Sequence, residues 1–322
     1  MITFENVKKT FPDGTEAIKG MDLHIEEGKL VALIGPSGCG KTTTMKMINK
    51  LIHPSSGTIS INGKNIADRK DVDLRRDIGY VIQRIGLFPH MTIEENVALI
   101  PKLKGIKKQE YLKRVDELLN LVGLEPSVFK KKYPLELSGG QQQRVGVVRA
   151  LAGEPPIILM DEPFSALDPI SREQLQAELK DLQKSIRKTI VFVTHDMDEA
   201  LKVADEIVVM KDGSIEQIAT PDELLRQPAN DFVRSFIGEE RIQSALNSFS
   251  PNTTKVTEIM DKSPEDLIEM TSIHAEADLK EAAEMMVAQN IHALQVVKDG
   301  SILGVVYKDR LLSELAGIER GA

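Results

Sequence analysis

An α/β fold, with a parallel sheet core, an antiparallel β patch and a helical insertion, followed by a small α+β domain, is predicted by three observations. The apolar runs Leu30–Ile34, Pro156–Met160, Ile190–Val193 and Glu206–Met210 are nearly continuous, as in strands buried on both faces of a parallel sheet. The first run leads into a glycine-rich turn and then a helix-compatible stretch, residues 42–50. A Ser-, Asn- and Thr-rich segment around Pro251, residues 241–255, separates these elements from a shorter tail.

The elements follow in order. Residues 2–32 alternate apolar and polar side chains around turns at Pro12-Asp13-Gly14 and Glu27-Gly28, which predicts the antiparallel patch. Residues 57–61 read as a strand ending at the Asn62-Gly63 turn, and Ile78–Ile82 as a strand ending at Gln83. Between Thr92 and Val128 the apolar residues Tyr111, Leu112, Val115, Leu118, Leu119 and Val122 recur at helical spacing. That stretch reads as a helical insertion spanning about 90–145. Three further strands resume the parallel sheet.

With 322 residues, two domains or one domain with an appendage are expected. The net charge of −8 argues against a nucleic-acid partner, whose phosphates call for clustered Lys and Arg. One cysteine, Cys39, excludes an intrachain disulfide, and its place within the glycine-rich turn marks it as a small space-filling residue. A reducing cytoplasm is the expected compartment. No stretch approaches the length of a membrane span, so any membrane role calls for a partner.

The turn Gly35-Pro36-Ser37-Gly38-Cys39-Gly40-Lys41-Thr42 is a candidate phosphate cradle. Unhindered backbone N–H groups and a helix N-terminus can wrap a polyphosphate, with Lys41 on its outer phosphates and Thr42 on Mg²⁺. Such a turn serves many nucleotide enzymes. A second sequence, Leu137-Ser138-Gly139-Gly140-Gln141, narrows the choice, because a Ser-Gly-Gly turn opening a helix also offers N–H donors to a phosphate. Asp161 and Glu162 follow the strand ending at Met160, at the sheet edge where open α/β sheets bind ligands. Asp161 is the candidate Mg²⁺ ligand, and Glu162 the group that orients or deprotonates an attacking water. His195 leaves the next strand at the same edge. Gln83 ends another there, and its amide is a candidate for both Mg²⁺ and the outer phosphate, a role its position alone leaves open. Phe11, just before a turn, is either an adenine-stacking ring or a core phenylalanine. Gly86–Met91 sets apolar and aromatic residues in a loop, either as a docking surface or as packing on the insertion.

Together these residues resemble the ATPase subunit of an ABC transporter over roughly residues 1–240. The resemblance assigns Phe11 to adenine stacking, Gly35–Thr43 to the Walker A loop and Gln83 to the Q-loop. Leu137–Gln141 becomes the signature, residues 157–162 the Walker B strand, Ser165–Asp168 the D-loop and His195 the switch histidine. It implies ATP and Mg²⁺ as cofactors. The nucleotide-binding set becomes Phe11, Gly35, Ser37, Gly38, Cys39, Gly40, Lys41, Thr42, Thr43 and, from a second subunit, Ser138, Gly139, Gly140 and Gln141. Glu162, His195 and Gln83 carry catalysis, and Thr42, Gln83 and Asp161 the metal. A head-to-tail homodimer, transmembrane permease subunits and an extracytoplasmic substrate-binding protein or domain are the implied partners. The chain is then peripheral, on the cytoplasmic face of the membrane.

Residues 83–93, with the tail, resemble the importers of quaternary-amine osmoprotectants such as glycine betaine, carnitine and choline. Residues 256–316 resemble a single CBS motif, carried by Val256–Met260, Leu279–Gln289, Ala293–Val297, Asp299-Gly300 and Leu303–Val306. Such motifs work in pairs, so two protomers are expected to pair theirs across the dimer. The ribose-binding Thr-x-x-Asp of nucleotide-binding members falls on Tyr307–Arg310, with both signature residues replaced, which argues against an adenosine ligand. An ionic-strength or membrane-surface sensor, a cyclic-dinucleotide site and a structural clamp stay open. Residues 241–255 form the expected linker. Solute uptake driven by ATP is the leading functional reading. An exporter of amphiphilic compounds and a soluble non-transport ABC ATPase are the alternatives.

Overall fold

The computed structural model describes residues 1–82, 86–165, 167–186, 188–249, 255–261, 271–298 and 301–315. Gln83, with its expected role, lies outside them, as do Arg84, Ile85, Ala166, Asp299 and Gly300. The chain divides into two compact units, Met1–Ile242 and Gln243–Ala322.

The first unit opens with β1 (Ile2–Thr10), β2 (Glu16–Ile25) and β3 (Leu30–Ile34), then α1 (Lys41–Ile48), β4 (Ser56–Ile61) and the short β5 (Lys64–Asn65). Strands β2-β1-β4-β5 form an antiparallel sheet, with Ile2 opposite both Ile25 and Ile61. Its alternation buries Ile2, Phe4 and Val7 against Met21, Leu23 and Ile25. The antiparallel patch read from residues 2–32 is thus present, enlarged by β4.

Helix α2 (Asp71–Arg76) and β6 (Ile78–Val81) precede the helices α3 (Ile93–Leu103), α4 (Lys108–Leu121), α5 (Pro126–Phe129) and α6 (Gly139–Leu151). The sheet resumes in β7 (Ile157–Asp161), followed by α7 (Pro169–Ile186), β8 (Thr189–Val193), α8 (Met197–Val203), β9 (Glu206–Lys211) and β10 (Ser214–Ala219). The order β10-β9-β3-β8-β7-β6 is parallel except for β10, which runs antiparallel to β9. Every residue of β3 and β8 is buried. Leu30, Ala32, Ile34, Ile190 and Phe192 join one core cluster, whereas Val31, Leu33, Val191 and Val193 join another on the opposite face. Two covered faces explain why these strands are continuously apolar.

Strand order fixes the site. Because β3, β8 and β7 are neighbours, the segments leaving their C-terminal ends, beginning at Gly35, Thr194 and Glu162, emerge side by side.

Helix α3 begins with a capping box in which Thr92 accepts from the Glu95 N–H and Glu95 returns a bond to the Thr92 N–H. One turn on, the fully buried Asn96 donates to the carbonyls of Phe88, Met91 and Thr92 and accepts from the Phe88 N–H. A single amide therefore organises the loop before α3.

Helices α9 (Pro221–Arg226), α10 (Asp231–Ile237) and α11 (Glu239–Phe249) follow β10. Residues 241–249, expected within a linker, are helical. The anchor of that helix is Ile242, which joins the core of the first unit. The second unit contains α12 (Val256–Ile259), β11 (Ser272–His274), α13 (Leu279–Gln289), β12 (Ala293–Lys298), β13 (Ser301–Tyr307) and α14 (Lys308–Leu315). Its sheet runs β11-β12-β13 over a core that includes Ile259, Leu279, Met286, Leu294, Val306 and Leu311.

Candidate nucleotide site

Between β3 and α1 the chain makes a turn that only glycine allows. Gly35, Gly38 and Gly40 have φ of 152°, 82° and 103°. A Cβ on Gly35 would lie 2.1 Å from the Met210 carbonyl, whereas one on Gly38 would meet nothing within 4 Å. The first glycine is dictated by packing. The second leaves open space beside the loop backbone, as a phosphate cradle requires.

Lys41 is buried, and its ammonium donates to the Gly35 and Pro36 carbonyls at 2.7 and 2.9 Å. Burial of a cation without a carboxylate partner is costly, and these carbonyls hold the charge at the turn it is suited to serve. Cys39 is 3% exposed and packs in the core, the space-filling part its position suggested.

Thr42, the second residue of α1, donates through Oγ1 to Asp161 Oδ1 at 3.3 Å. Burial pushes the Asp161 carboxyl above its ordinary range, Glu162 adds to the rise, and Lys46 with the Thr42 hydroxyl opposes it. Burial, helped by the Asp161 charge, also pushes the Tyr80 hydroxyl up to about 12. A carboxylate so placed calls for a cation. Among the described residues no group of three or more His, Cys, Asp or Glu could hold one alone. The Thr42–Asp161 pair therefore fits Mg²⁺ of the kind that completes its shell with substrate oxygens and water.

Glu162 adopts a left-handed backbone, φ 44°. Its N–H donates to the Val193 carbonyl, while its own carbonyl accepts from the Ser165 hydroxyl. Its Oε1 lies 3.4 Å from His195 Nδ1. A left-handed glutamate is uncommon and costs about 1 kcal/mol or more; here the neighbouring strand holds it.

A cleft of about 390 Å³ gathers several of these groups, whereas Gly35, Cys39 and Asp161 lie outside its lining. Of the residues expected from sequence, Phe11, Ser37, Gly38, Gly40, Lys41, Thr42, Thr43, Glu162 and His195 line it. Phe11 is half-buried with the Lys9 ammonium 5.1 Å from its ring centroid, so it is a cleft residue instead of a core one. Ser138, Gly139, Gly140 and Gln141 do not line the cleft. Ser138 instead caps α6, exchanging hydrogen bonds with Gln141 in an exposed turn.

The β2 residues Glu16 and Ala17 also line the cleft, and Lys46 and Tyr80 interact electrostatically with Asp161 from outside it; none of these four is among the residues expected from sequence. Lys46 had a signal, since it stands four residues after Thr42 on one helix. Tyr80 had none.

Residues 18–165 match the ABC transporter family, and residues 256–317 match the CBS domain. The glycine betaine/carnitine/choline transport ATP-binding protein OpuCA of Bacillus subtilis is 49% identical over 100% of this chain and 86% of its own. This chain belongs to the ABC transporter ATP-binding subunits. The osmoprotectant import ATP-binding protein OsmV of Salmonella typhimurium is 47% identical across 99% of this ABC subunit and 82% of itself. A solved dimer of another ATP-binding cassette, in a post-hydrolysis state with ADP and Pi, superposes with a TM-score of 0.62. It is 40% identical and covers 69% of this chain and 99% of its own. The ABC ATPase fold and the CBS tail expected from sequence are both present, and neither the exporter nor the soluble ABC reading is favoured. Among the described residues no helix is long and apolar enough to cross a membrane.

Proposed function

We propose that this ABC subunit hydrolyses ATP to drive uptake of a quaternary-amine compatible solute through separate permease subunits, peripherally at the cytoplasmic face of the membrane. The observation that carries the reading is the convergence of Lys41, Thr42 and the Glu162–His195 pair on one cleft, with Asp161 hydrogen-bonded to Thr42 beside it.

The nucleotide enters with adenine against Phe11 and its phosphates along residues 37–42. Lys41 exchanges its carbonyl partners for phosphate oxygens, a charge-assisted replacement. Thr42 and Asp161 would hold Mg²⁺, with Gln83 the further ligand that the sequence resemblance assigns. The bound ion neutralises charge on the transferring phosphoryl group. Glu162 accepts the proton of the attacking water, while His195 orients that carboxylate and faces the outer phosphate.

Ser138–Gln141 completes the site from a second subunit. Supporting this, the turn is preformed by its own capping box, exposed, and outside the cleft of its own chain. Pairing of CBS domains across the dimer is supported by the exposed apolar Val287 on α13 and Leu312 on α14.

Phe88 docks the permease. It is 40% exposed and borders a cavity of about 280 Å³ lined also by Tyr80, Ile100 and Arg149, whose guanidinium holds the Gly86 carbonyl. Solute choice rests on the similarity to OpuCA, whose name specifies glycine betaine, carnitine and choline, and to OsmV, whose name specifies osmoprotectant import. The test is reconstitution of the subunit with permease and substrate-binding protein. Uptake of labelled glycine betaine that requires ATP supports the reading, and ATP turnover without such uptake overturns the solute assignment.

A further inference from the structure

Next to His195 in the chain, a polar group joins α7 to α8. Glu199, on the first turn of α8, is buried, its side chain 7% exposed. It accepts a 2.5 Å hydrogen bond from the hydroxyl of Thr194, the residue that precedes His195. The Thr194 oxygen in turn accepts from the Asp196 N–H at 3.0 Å, so the backbone on both sides of His195 is tied to one hydroxyl. Asp196 caps α8 by accepting from the N–H groups of Asp198 and Glu199.

Arg172 approaches the same group from α7. Its Nε lies 3.8 Å from Glu199 Oε1, its Nη1 3.9 Å from Asp196 Oδ2, and its Nη2 donates to the Leu167 carbonyl at 3.4 Å. The buried Nε makes no hydrogen bond. A guanidinium fork spanning two carboxylates and a carbonyl is a rigid spacer. A buried carboxylate needs such company, because it is costly to keep without a cation and a donor.

We propose that Glu199 is a positioning residue for His195, and that Arg172 couples it to the Leu167 segment beside the Ser138–Gln141 turn. The juxtaposition rests on geometry. Gly140 approaches Leu167 and Ser171, with 3.3 Å between an ideal Cβ on Gly140 and the Ser171 hydroxyl. Thr194, Glu199 and Arg172 then form one chain of contacts from the Leu167 segment to the backbone flanking His195, whose imidazole lies 3.4 Å from Glu162. A displacement of the signature turn, as when a second subunit docks on it, reaches His195 through Arg172 and Glu199. The network thus registers docking of the signature turn of one subunit at the hydrolytic pair of that same subunit. The inference rests on the catalytic reading of Glu162 and His195 given above.

The test uses the full-length chain in single-turnover ATP hydrolysis, with ATP affinity measured separately. Glu199→Gln keeps the size and the acceptor but loses the charge. Thr194→Val deletes the hydroxyl, and Thr194→Ser returns it. Glu199→Gln and Thr194→Val are expected to slow hydrolysis about 10- to 100-fold, the cost of a misplaced group, with ATP affinity retained. Thr194→Ser restores the rate lost in Thr194→Val. In a His195→Ala background, Glu199→Gln is expected to change the rate by less than about 2-fold, because residues acting through one another do not add. The same fold-loss in both backgrounds, or no loss in either, overturns the positioning role. If His195→Ala itself hydrolyses ATP normally, the catalytic reading falls and the inference with it. The His195 ring resonances give a readout independent of turnover. Glu199→Gln and Thr194→Val must shift them and Thr194→Ser must not; unshifted resonances overturn the proposal.

Discussion

His195 Nδ1 lies 3.4 Å from Glu162 Oε1, although the two residues leave different strands, and Glu162 adopts a left-handed backbone at that position. Removing only the acidity of that carboxylate separates chemistry from binding. Glu162→Gln is expected to slow hydrolysis by about 10²–10⁴-fold, the usual worth of a general base, and to leave ATP binding intact. Steady-state turnover and nucleotide affinity on one preparation check both halves.

The strain at Glu162 yields a second expectation. Asparagine tolerates a left-handed backbone, and Glu162→Asn also removes a negative charge beside Asp161. The variant should be inactive yet more stable by about 1 kcal/mol in urea unfolding of the nucleotide-free chain.

Two glycines of one loop should fail in different ways. Gly35→Ala drives a Cβ onto the Met210 carbonyl at 2.1 Å and is expected to cost about 2–4 kcal/mol of stability. Gly38→Ala meets no atom within 4 Å, so it should cost about 1 kcal/mol while weakening ATP binding by at least about 10-fold, because the methyl group occupies the cradle. Melting and nucleotide titration of both variants distinguish packing from recognition.

Asp161 sets a pH dependence. Its carboxyl is raised by burial first and by Glu162 second, so the unfolded chain ionises more readily than the folded one. The site is therefore most favourable below the ordinary carboxylate value of 3.8, and that contribution is lost as pH rises through the raised folded value. At pH 7 the ionised group is a cost to the nucleotide-free protein. Asp161→Asn should stabilise the chain at pH 7, lose that advantage as pH falls toward 4, and abolish Mg²⁺-dependent ATP binding. Urea unfolding at several pH values checks the sign.

Asn96 tests the docking loop. Truncation to alanine removes an amide whose two N–H donors are shared among three carbonyls and whose oxygen accepts one bond, at a fully buried position, at an expected cost of about 2–3 kcal/mol. Stimulation of the ATPase by permease should fall more than its basal rate, which a comparison of turnover with and without permease measures.

What was legible in sequence follows from local chemistry. Gly35, Gly38 and Gly40 announce their backbone because few other residues adopt it, and β3 and β8 announce burial on both faces by unbroken apolar runs. Asp161, Glu162 and His195 were found because strand ends at one sheet edge are where ligands bind. Thr194, Arg172 and Glu199 were not, since an arginine on α7 meets α8 only after the chain has passed through β8. Strand β10 went unread because its half-buried residues, Ser214 to Gln217, carry no unbroken apolar run. Helix α11 was hidden by the Ser- and Asn-rich composition of 241–249, which Ile242 overrides by packing into the core.

Vesicles holding the permease, the substrate-binding protein and this subunit allow ATP hydrolysis and labelled glycine betaine uptake to be measured together. Uptake is expected to require ATP, glycine betaine to raise hydrolysis, and Glu162→Gln to abolish both. Hydrolysis indifferent to the solute, or uptake that persists in Glu162→Gln, would contradict ATP-driven uptake of that solute.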